Sequence, residues 1–399
     1  MKNVEYLIVG AGMAGAAAAR GIREVDGSGA IAVIGSEFDP PYKRPWLSKK
    51  LWAGKPLDRV WISPEPEGVE LMLGRTVQWL DLAGKQAVDD RGQGYHYAKL
   101  LIATGSRPRR LASANSQPIE FHSLQDYRRV RALADEQQRF AVIGGGFIGS
   151  EMAAALAMNG KQVTMIFPAD TIGDRLFPSG LGRHLNQFYR DKGIDVLSGH
   201  EVAGIEERGN ERVVRTRNLA TGAVDALDVD GIVAGIGAEP NLELAASAGL
   251  TVDNGIVVDE FLRTSHPDVY AAGDVARFWQ PALGEWRRVE HEDNALTMGR
   301  LAGRAMAGAP EPYTGLPYFS SDLFDLGYEA VGDVHARQET VADWIEPFRQ
   351  GVIYYRRANK VRGVLHWNVW GQVEAARALI SAGVPVATGH LAGRCLVPA

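Results

Sequence analysis

The chain sets out one pattern of apolar and polar positions twice. Residues 4–9 are apolar apart from Glu5 and predict a strand that ends in Gly10-Ala11-Gly12-Met13-Ala14-Gly15. An alanine-rich stretch follows and predicts a helix over 16–25, then a second apolar strand over 30–34. Residues 139–143 predict a strand that ends in Gly144-Gly145-Gly146-Phe147-Ile148-Gly149, with a helix over 150–159 and a strand over 162–167. Strand, glycine turn, helix and strand make a βαβ unit, the building block of a parallel sheet. Residues 100–105 and 233–237 are apolar strands ending in small-residue turns and read as crossings between two domains. Beyond Gly315 the pattern changes. Segments 352–355 and 361–365 predict antiparallel strands, and 373–382 predicts a closing helix.

The glycines have a chemical reading. Gly10 permits a tight turn, Gly12 lets backbone approach a pyrophosphate, and Gly15 lets helix pack on strand. A diphosphate would then sit on the helix N-terminus, whose free N–H groups and dipole favour anions. Glu37 falls 22 residues past Gly15, just after the second strand, where a carboxylate can bond a ribose diol. A further apolar run closes on Gly273-Asp274, where glycine allows close backbone approach and the carboxylate can accept from a sugar-alcohol hydroxyl. Two glycine motifs 134 residues apart imply two nucleotide-binding domains.

In order, Gly10 to Gly15, Thr104-Gly105, Gly144 to Gly149 and Gly273-Asp274 resemble the FAD/NAD(P)-dependent pyridine nucleotide oxidoreductases. The resemblance runs from about Val4 to about Ile380. It implies an α/β fold of glutathione-reductase type, with two Rossmann-like domains and a small C-terminal α/β domain. The expected division is 1–110 with 242–315 for FAD, 111–241 for NAD(P)H, and 316–399 at the C-terminus. Pro41-Tyr42-Lys43-Arg44-Pro45-Trp46-Leu47-Ser48-Lys49 is similar to a motif of oxygenase-coupled ferredoxin reductases and apoptosis-inducing factor. Disulfide reductases carry redox cysteines in that stretch. The chain has a single cysteine, Cys395, which excludes a flavin–disulfide relay.

The resemblance implies an FAD site at Gly10, Gly12, Ala14, Gly15, Glu37, Arg44, Lys49, Val77, Ala103, Thr104, Gly105, Arg107, Gly273, Asp274, Glu290, His291 and Ala295. It implies an NAD site at Gly144, Gly146, Phe147, Ile148, Gly149, Glu151, Asp170, Gly237 and Glu329. Lys49, Glu151 and His291 are the residues expected at the reacting end. Asp274 would hold the ribityl chain, and Arg44 and Lys49 would contact the flavin. Glu151 would pair with Lys49, Phe147 would line the nicotinamide pocket, and Glu329 would meet the nicotinamide amide. His291 would touch the flavin ring as a contact, because hydride transfer needs alignment more than a proton donor. By residue type alone, Lys49 also reads as a surface lysine, Glu151 as a carboxylate favoured by the helix dipole, and Phe147 as core packing.

The chain departs from the family pattern at two places. The family's Phe-Trp-Ser-Asp stretch stands here as Phe319-Ser320-Ser321-Asp322, so an indole is missing at Ser320. The acid expected about 20 residues past Gly149 falls on Ala169, with Asp170 adjacent, and the first nearby arginine is Arg175. The expected donor is therefore NADH, ahead of NADPH.

Composition trims the alternatives. Of 399 residues, 46% are hydrophobic and 23% charged, and the net charge of -5 argues against general nucleic-acid binding. Arginines cluster at 107, 109 and 110, at 128, 129 and 131, at 287 and 288, and at 356 and 357. They read as solvated faces or as a docking patch for an acidic protein. No signal peptide and no apolar run of membrane length stand out, so a soluble cytoplasmic protein, monomer or homodimer, is expected. The leading expectation is an NADH-dependent flavoenzyme that feeds a small iron–sulfur or rubredoxin-type acceptor. The alternative is a redox sensor with slow NADH oxidation, resembling apoptosis-inducing factor.

Overall fold

The structure is a computed structural model of the chain and describes residues 1–62, 67–111, 118–208 and 211–395. They form two compact units. The first holds Met1–Arg44, Asp58–Arg107 and Glu239–Phe319; the second holds Pro45–Leu57, Pro108–Ala238 and Ser320–Ala399.

The first unit is built on a seven-stranded sheet. Lys2–Val9 lies between Ile31–Gly35 and Gly94–Ile102, parallel to both. Val69–Leu73 and Val269–Ala271 extend the parallel part, while Gln86–Asp89 and Val77–Asp81 add an antiparallel edge. Leu7, Ile8, Val33, Leu100 and Leu101 are fully buried because this sheet is covered on both faces. Helices Met13–Arg23 and Glu292–Met306 pack together on it. Their contact needs glycine. A Cβ on Gly299 or Gly303 would fall 2.2 or 2.1 Å from the carbonyl oxygens of Ala14 or Ala18.

The second unit repeats the design. Its parallel sheet orders Asp195–Ser198, Gln162–Phe167, Arg139–Ile143, Gly231–Ala234 and Ile119–Glu120. A three-stranded antiparallel sheet, His200–Arg208, Glu211–Asn218 and Val224–Val229, is inserted in sequence between its strands Asp195–Ser198 and Gly231–Ala234. A five-stranded antiparallel sheet at the C-terminus orders Tyr318–Leu323, Leu326–Gly332, Lys360–Trp367, Gln350–Arg357 and Glu339–Glu346, with helix Val373–Ser381 against it. The segment Pro45–Leu57 is held in this unit through Trp52. Its indole lies edge-on to Tyr127 at 5.7 Å with the Arg131 guanidinium over it, and its carbonyl accepts from Asn159.

Both helices that follow the glycine motifs begin three residues earlier than the pattern predicts, at Met13 and at Phe147. The cause lies in the turns. Gly12 and Gly146 cap the helices in extended conformation, so each helix starts at once and takes Gly15 and Gly149 inside its first turn. The antiparallel sheet over 200–229 and the helices Leu124–Glu136 and Ser179–Asp191 lie outside the elements the pattern predicts.

Candidate functional site

The two glycine turns have the same geometry. Gly10 has φ +121°, and a Cβ there would meet the Ala103 carbonyl oxygen at 2.0 Å. Gly144 has φ +114°, and its Cβ would meet the Gly235 carbonyl oxygen at 2.3 Å. A Cβ on Gly15 or Gly149 would fall 1.9 or 2.0 Å from the carbonyl of Gly10 or Gly144. These four are glycine because protein backbone occupies the space. Gly12 and Gly146 differ: a Cβ on either would meet nothing within 4 Å. Neither helix start has a side-chain cap. Open space beside uncapped helix N–H groups is a cradle that fits a diphosphate, once in each unit. Phe147 and Ile148 begin the second helix, and Phe147 is 44% exposed, so it is not a core residue.

Around the first cradle, Glu37 lies two residues beyond its strand. It accepts from the Tyr42 hydroxyl at 2.6 Å and from the Arg44 guanidinium at 2.7 Å. Arg44 thus rests on the acid expected at the ribose, and the charge of Asp274 also acts on it. Thr104 and Asn241 exchange hydrogen bonds at 3.0 and 2.8 Å across the turn at Gly105. Arg107 is held by Glu239, Glu243 and Asn241. Val77 and Ala103 are buried in the core of this unit, and Ala295 packs over Gly273, which has φ +79°.

Asp274 accepts from the Ser106 hydroxyl at 2.8 Å. Burial raises its carboxyl to about 6, and the Glu290 charge adds to this, against the Ser106 bond and the charges of Arg44 and Arg288. The folded chain therefore holds this proton more tightly than the unfolded chain. Stability from the protonated form is lost as pH rises from the ordinary 3.8 through about 6. Asp274→Asn is expected to raise the melting temperature of the flavin-free protein at pH 8 while weakening flavin retention. A lower melting temperature with unchanged flavin content would contradict both halves.

His291 caps helix Glu292–Met306, and its ring lies 4.5 Å from the Phe319 ring. Its Nδ1 is buried without a protein partner, an orphan that a ligand acceptor or donor would satisfy. Burial, helped by the Arg287 charge, depresses the imidazole to about 4. The ring is neutral at pH 7 and cannot titrate near it. His291→Asn is therefore expected to slow reduction by NADH without changing the shape of the rate profile between about pH 5.5 and 8. Loss of an inflection in that window would contradict this. Glu290 is exposed and paired with Arg288 at 2.7 Å.

The second unit brings Lys49 and Glu151 together, as the resemblance implies. Lys49 Nζ lies 3.2 Å from Glu151 Oε1 and donates to the Ser320 carbonyl at 2.8 Å. Glu151 is 5% exposed. The Ser48 hydroxyl donates to its Oε2 at 2.5 Å and the Ser321 hydroxyl to its Oε1 at 2.6 Å. Ser48 and Ser321 were not among the expected site residues, and their proximity to Lys49 and Ser320 in sequence was the available signal. The Glu329 carboxylate accepts from the Gly371 N–H at 3.0 Å, and burial raises its pKa. Asp170 is exposed three residues beyond strand Gln162–Phe167. Gly237 has φ +103° and its carbonyl accepts from the Arg109 N–H.

The arginine clusters are largely neutralised. Arg110 faces Glu120, Arg129 and Arg131 face Asp126 and Asp135, and Arg287 faces Glu285. Arg356 is 4% exposed and bonded to Glu339, Asn359, Thr388 and the Val386 carbonyl, a structural role. Among the described residues no cluster of His, Cys, Asp or Glu could hold a metal ion, and no helix is long and apolar enough to cross a membrane.

The chain is similar to known proteins over most of its length. A family model described as pyridine nucleotide-disulphide oxidoreductase matches residues 4–299. The chain is 34% identical to the 5,5'-dehydrodivanillate O-demethylase ferredoxin reductase subunit of Sphingobium sp. (strain NBRC 103272 / SYK-6), over 98% of this chain and 97% of that one. It is 32% identical to apoptosis-inducing factor 1, mitochondrial, of Dictyostelium discoideum, over 95% of this chain and 79% of that one. A chain of the crystal structure of the covalent putidaredoxin reductase–putidaredoxin complex superposes with a TM-score of 0.90 at 28% identity, covering 98% of this chain and 96% of that one.

Proposed function

We propose that this chain, which belongs to the pyridine nucleotide-disulphide oxidoreductase family, is an FAD-dependent oxidoreductase that takes reducing equivalents from NADH and passes electrons to a small iron–sulfur or rubredoxin-type protein. The observation that carries this reading is the pair of open glycine cradles, at Gly12 and Gly146, in a chain with one cysteine. Two cradles call for two nucleotides, and a single thiol offers no internal disulfide to reduce. The ferredoxin reductase subunit of Sphingobium, similar over nearly its whole length, supports a protein acceptor.

When bound, FAD supplies the means to accept a hydride and to release electrons singly. The protein's part is positioning and charge. In the proposed site the N–H groups after Gly12 and after Gly146 hold the two diphosphates, and Glu37 with Arg44 and Tyr42 fixes a ribose. Asp274 and Ser106 hold the ribityl hydroxyls, and neutral His291 offers its orphan nitrogen to the flavin. The Lys49–Glu151 pair supplies a fixed cation for the reacting ring system, with Phe147 and Glu329 on the nicotinamide side. Asp170 favours a ribose diol over a phosphate, hence NADH. Residues 1–110 with 242–315 serve the flavin, 111–241 the nicotinamide nucleotide, and 316–399 form the C-terminal α/β domain.

The purified protein is expected to be yellow, with flavin absorbance that bleaches on anaerobic titration with one equivalent of NADH and far more slowly with NADPH. A colourless protein that takes up no added FAD would overturn the reading. The similarity to apoptosis-inducing factor 1 supports a second reading, a sensor that is reduced slowly and keeps its nucleotide. Persistent long-wavelength absorbance after NADH, unaffected by a ferredoxin, would favour it.

A further inference from the structure

We infer that Ser321 is a positioning residue for Lys49, acting through Glu151; the inference rests on the proposal that Lys49 serves the reacting ring system. Glu151 is a buried carboxylate whose oxygens are both engaged by hydroxyl donors. Ser48 takes Oε2, and Ser321 takes Oε1, the same oxygen that Lys49 Nζ faces at 3.2 Å. Ser321 is itself 1% exposed, so no water competes for its hydroxyl. Its neighbour Ser320 gives Lys49 a second acceptor, its backbone carbonyl, at 2.8 Å.

The ammonium thus meets two consecutive residues of strand Tyr318–Leu323, one through Glu151 and one directly. An ammonium has three donors. Glu151 and the Ser320 carbonyl take two, and the third has no protein acceptor among the described residues. Two fixed acceptors therefore set the direction of the remaining N–H. The Ser321 hydroxyl holds Oε1 where it can serve as one of them. Without it, Ser48 alone anchors the carboxylate, through Oε2, and the group can swing about its last bond with Oε1 held only by Lys49, because terminal carboxylate torsions are broad. The aim of the third N–H would then be lost while the charge stayed. A ring system receiving charge is stabilised by a donor already in place, not by one that must reorient.

The test uses the flavin-loaded protein in four forms: wild type, Ser321→Ala, Glu151→Gln and the double variant. Flavin content and the rate and apparent Kd of reduction by NADH are measured by stopped-flow absorbance. Ser321→Ala is expected to retain flavin, to slow the limiting rate of reduction about tenfold, and to leave the NADH Kd within about twofold. In the Glu151→Gln background the same change is expected to cost nearly nothing, since the group through which it acts is already altered. An equal loss in both backgrounds would overturn the inference, as would a wild-type rate in Ser321→Ala. If even the wild type bound no flavin, the proposed function would fail, an outcome distinct from either. Ser48→Ala, which frees Oε2 and leaves Oε1 held, is expected to slow reduction less than Ser321→Ala; the reverse order would also count against Ser321.

Discussion

Gly12→Val is expected to give a folded, colourless protein, and Gly146→Val a folded, yellow protein that NADH no longer bleaches. Both positions have extended backbone that any residue can adopt, and a Cβ at either meets nothing within 4 Å. The apoprotein should therefore accept valine with a circular dichroism spectrum and melting temperature close to wild type. What valine fills is the space beside uncapped helix N–H groups. A diphosphate needs backbone approach there, and losing two or three N–H bonds to an anion weakens binding by about 1000-fold or more. The neighbouring glycines supply the control. Gly15→Ala and Gly149→Ala force a Cβ to within 1.9 or 2.0 Å of a carbonyl oxygen, so they should damage the fold itself. If Gly12→Val retained full flavin, the first cradle would not be the FAD site. If it unfolded the chain, the open space would have a structural role.

The second large effect lies at Glu151. Its partner Lys49 is 14% exposed and the carboxylate 5%, so water screens the pair weakly. Removing one member of such a pair leaves a buried charge without compensation, which costs about 3–5 kcal/mol. Glu151→Ala is therefore expected to lower the melting temperature by several degrees. Glu151→Gln keeps the shape and can still hydrogen-bond Ser48 and Ser321, but it too leaves Lys49 without its counter-charge, so its melting temperature should fall between those of Glu151→Ala and wild type. It removes the charge that fixes Lys49, and reduction by NADH is expected to slow about a hundredfold, roughly 2.7 kcal/mol of barrier. Melting curves and single-turnover kinetics on the two variants check both halves. A rate within twofold of wild type for Glu151→Gln would remove the Lys49–Glu151 pair from the chemistry.

Much of the fold was legible because glycine geometry is hard to imitate. Gly10, Gly15, Gly144 and Gly149 are required by backbone crowding, and the apolar runs at 6–9 and 140–143 before the two turns are buried. The strands at 139–143 and 162–167 coincide with those in the structure. The antiparallel strands His200–Arg208 and Glu211–Asn218 are rich in Glu and Arg, and that mixture carries no clean apolar alternation. Helix Leu124–Glu136 was hidden similarly. Its arginines invited a reading as a cluster of charge, whereas a capping box between Ser123 and Asp126 starts the helix and acids pair with Arg129 and Arg131.

The site was legible where a motif carries its own chemistry, and obscure where the chain folds back on itself. Lys49 and Glu151 meet as the resemblance implies, though 102 positions separate them. Arg44 was expected to contact the flavin, and the fold adds a bond from it to Glu37 that the motif does not announce. Ser321 carries no signal in the sequence, because a serine beside the missing indole at Ser320 has no chemistry of its own to mark it. Only the fold shows its hydroxyl on Glu151. Likewise Arg356 looked like surface charge until strand Gln350–Arg357 buried it.

The central claim is that electrons leave this chain for a small redox protein. It is tested most directly by NADH-driven cytochrome c reduction with and without an added [2Fe–2S] ferredoxin or a rubredoxin, at low and at high salt. Slow reduction by the flavoprotein alone is expected, and a rate that rises and saturates with one of these carriers. Because the named arginines are largely paired with acids, only a modest loss of that rate is expected at high salt. A rate indifferent to every added carrier would contradict the claim.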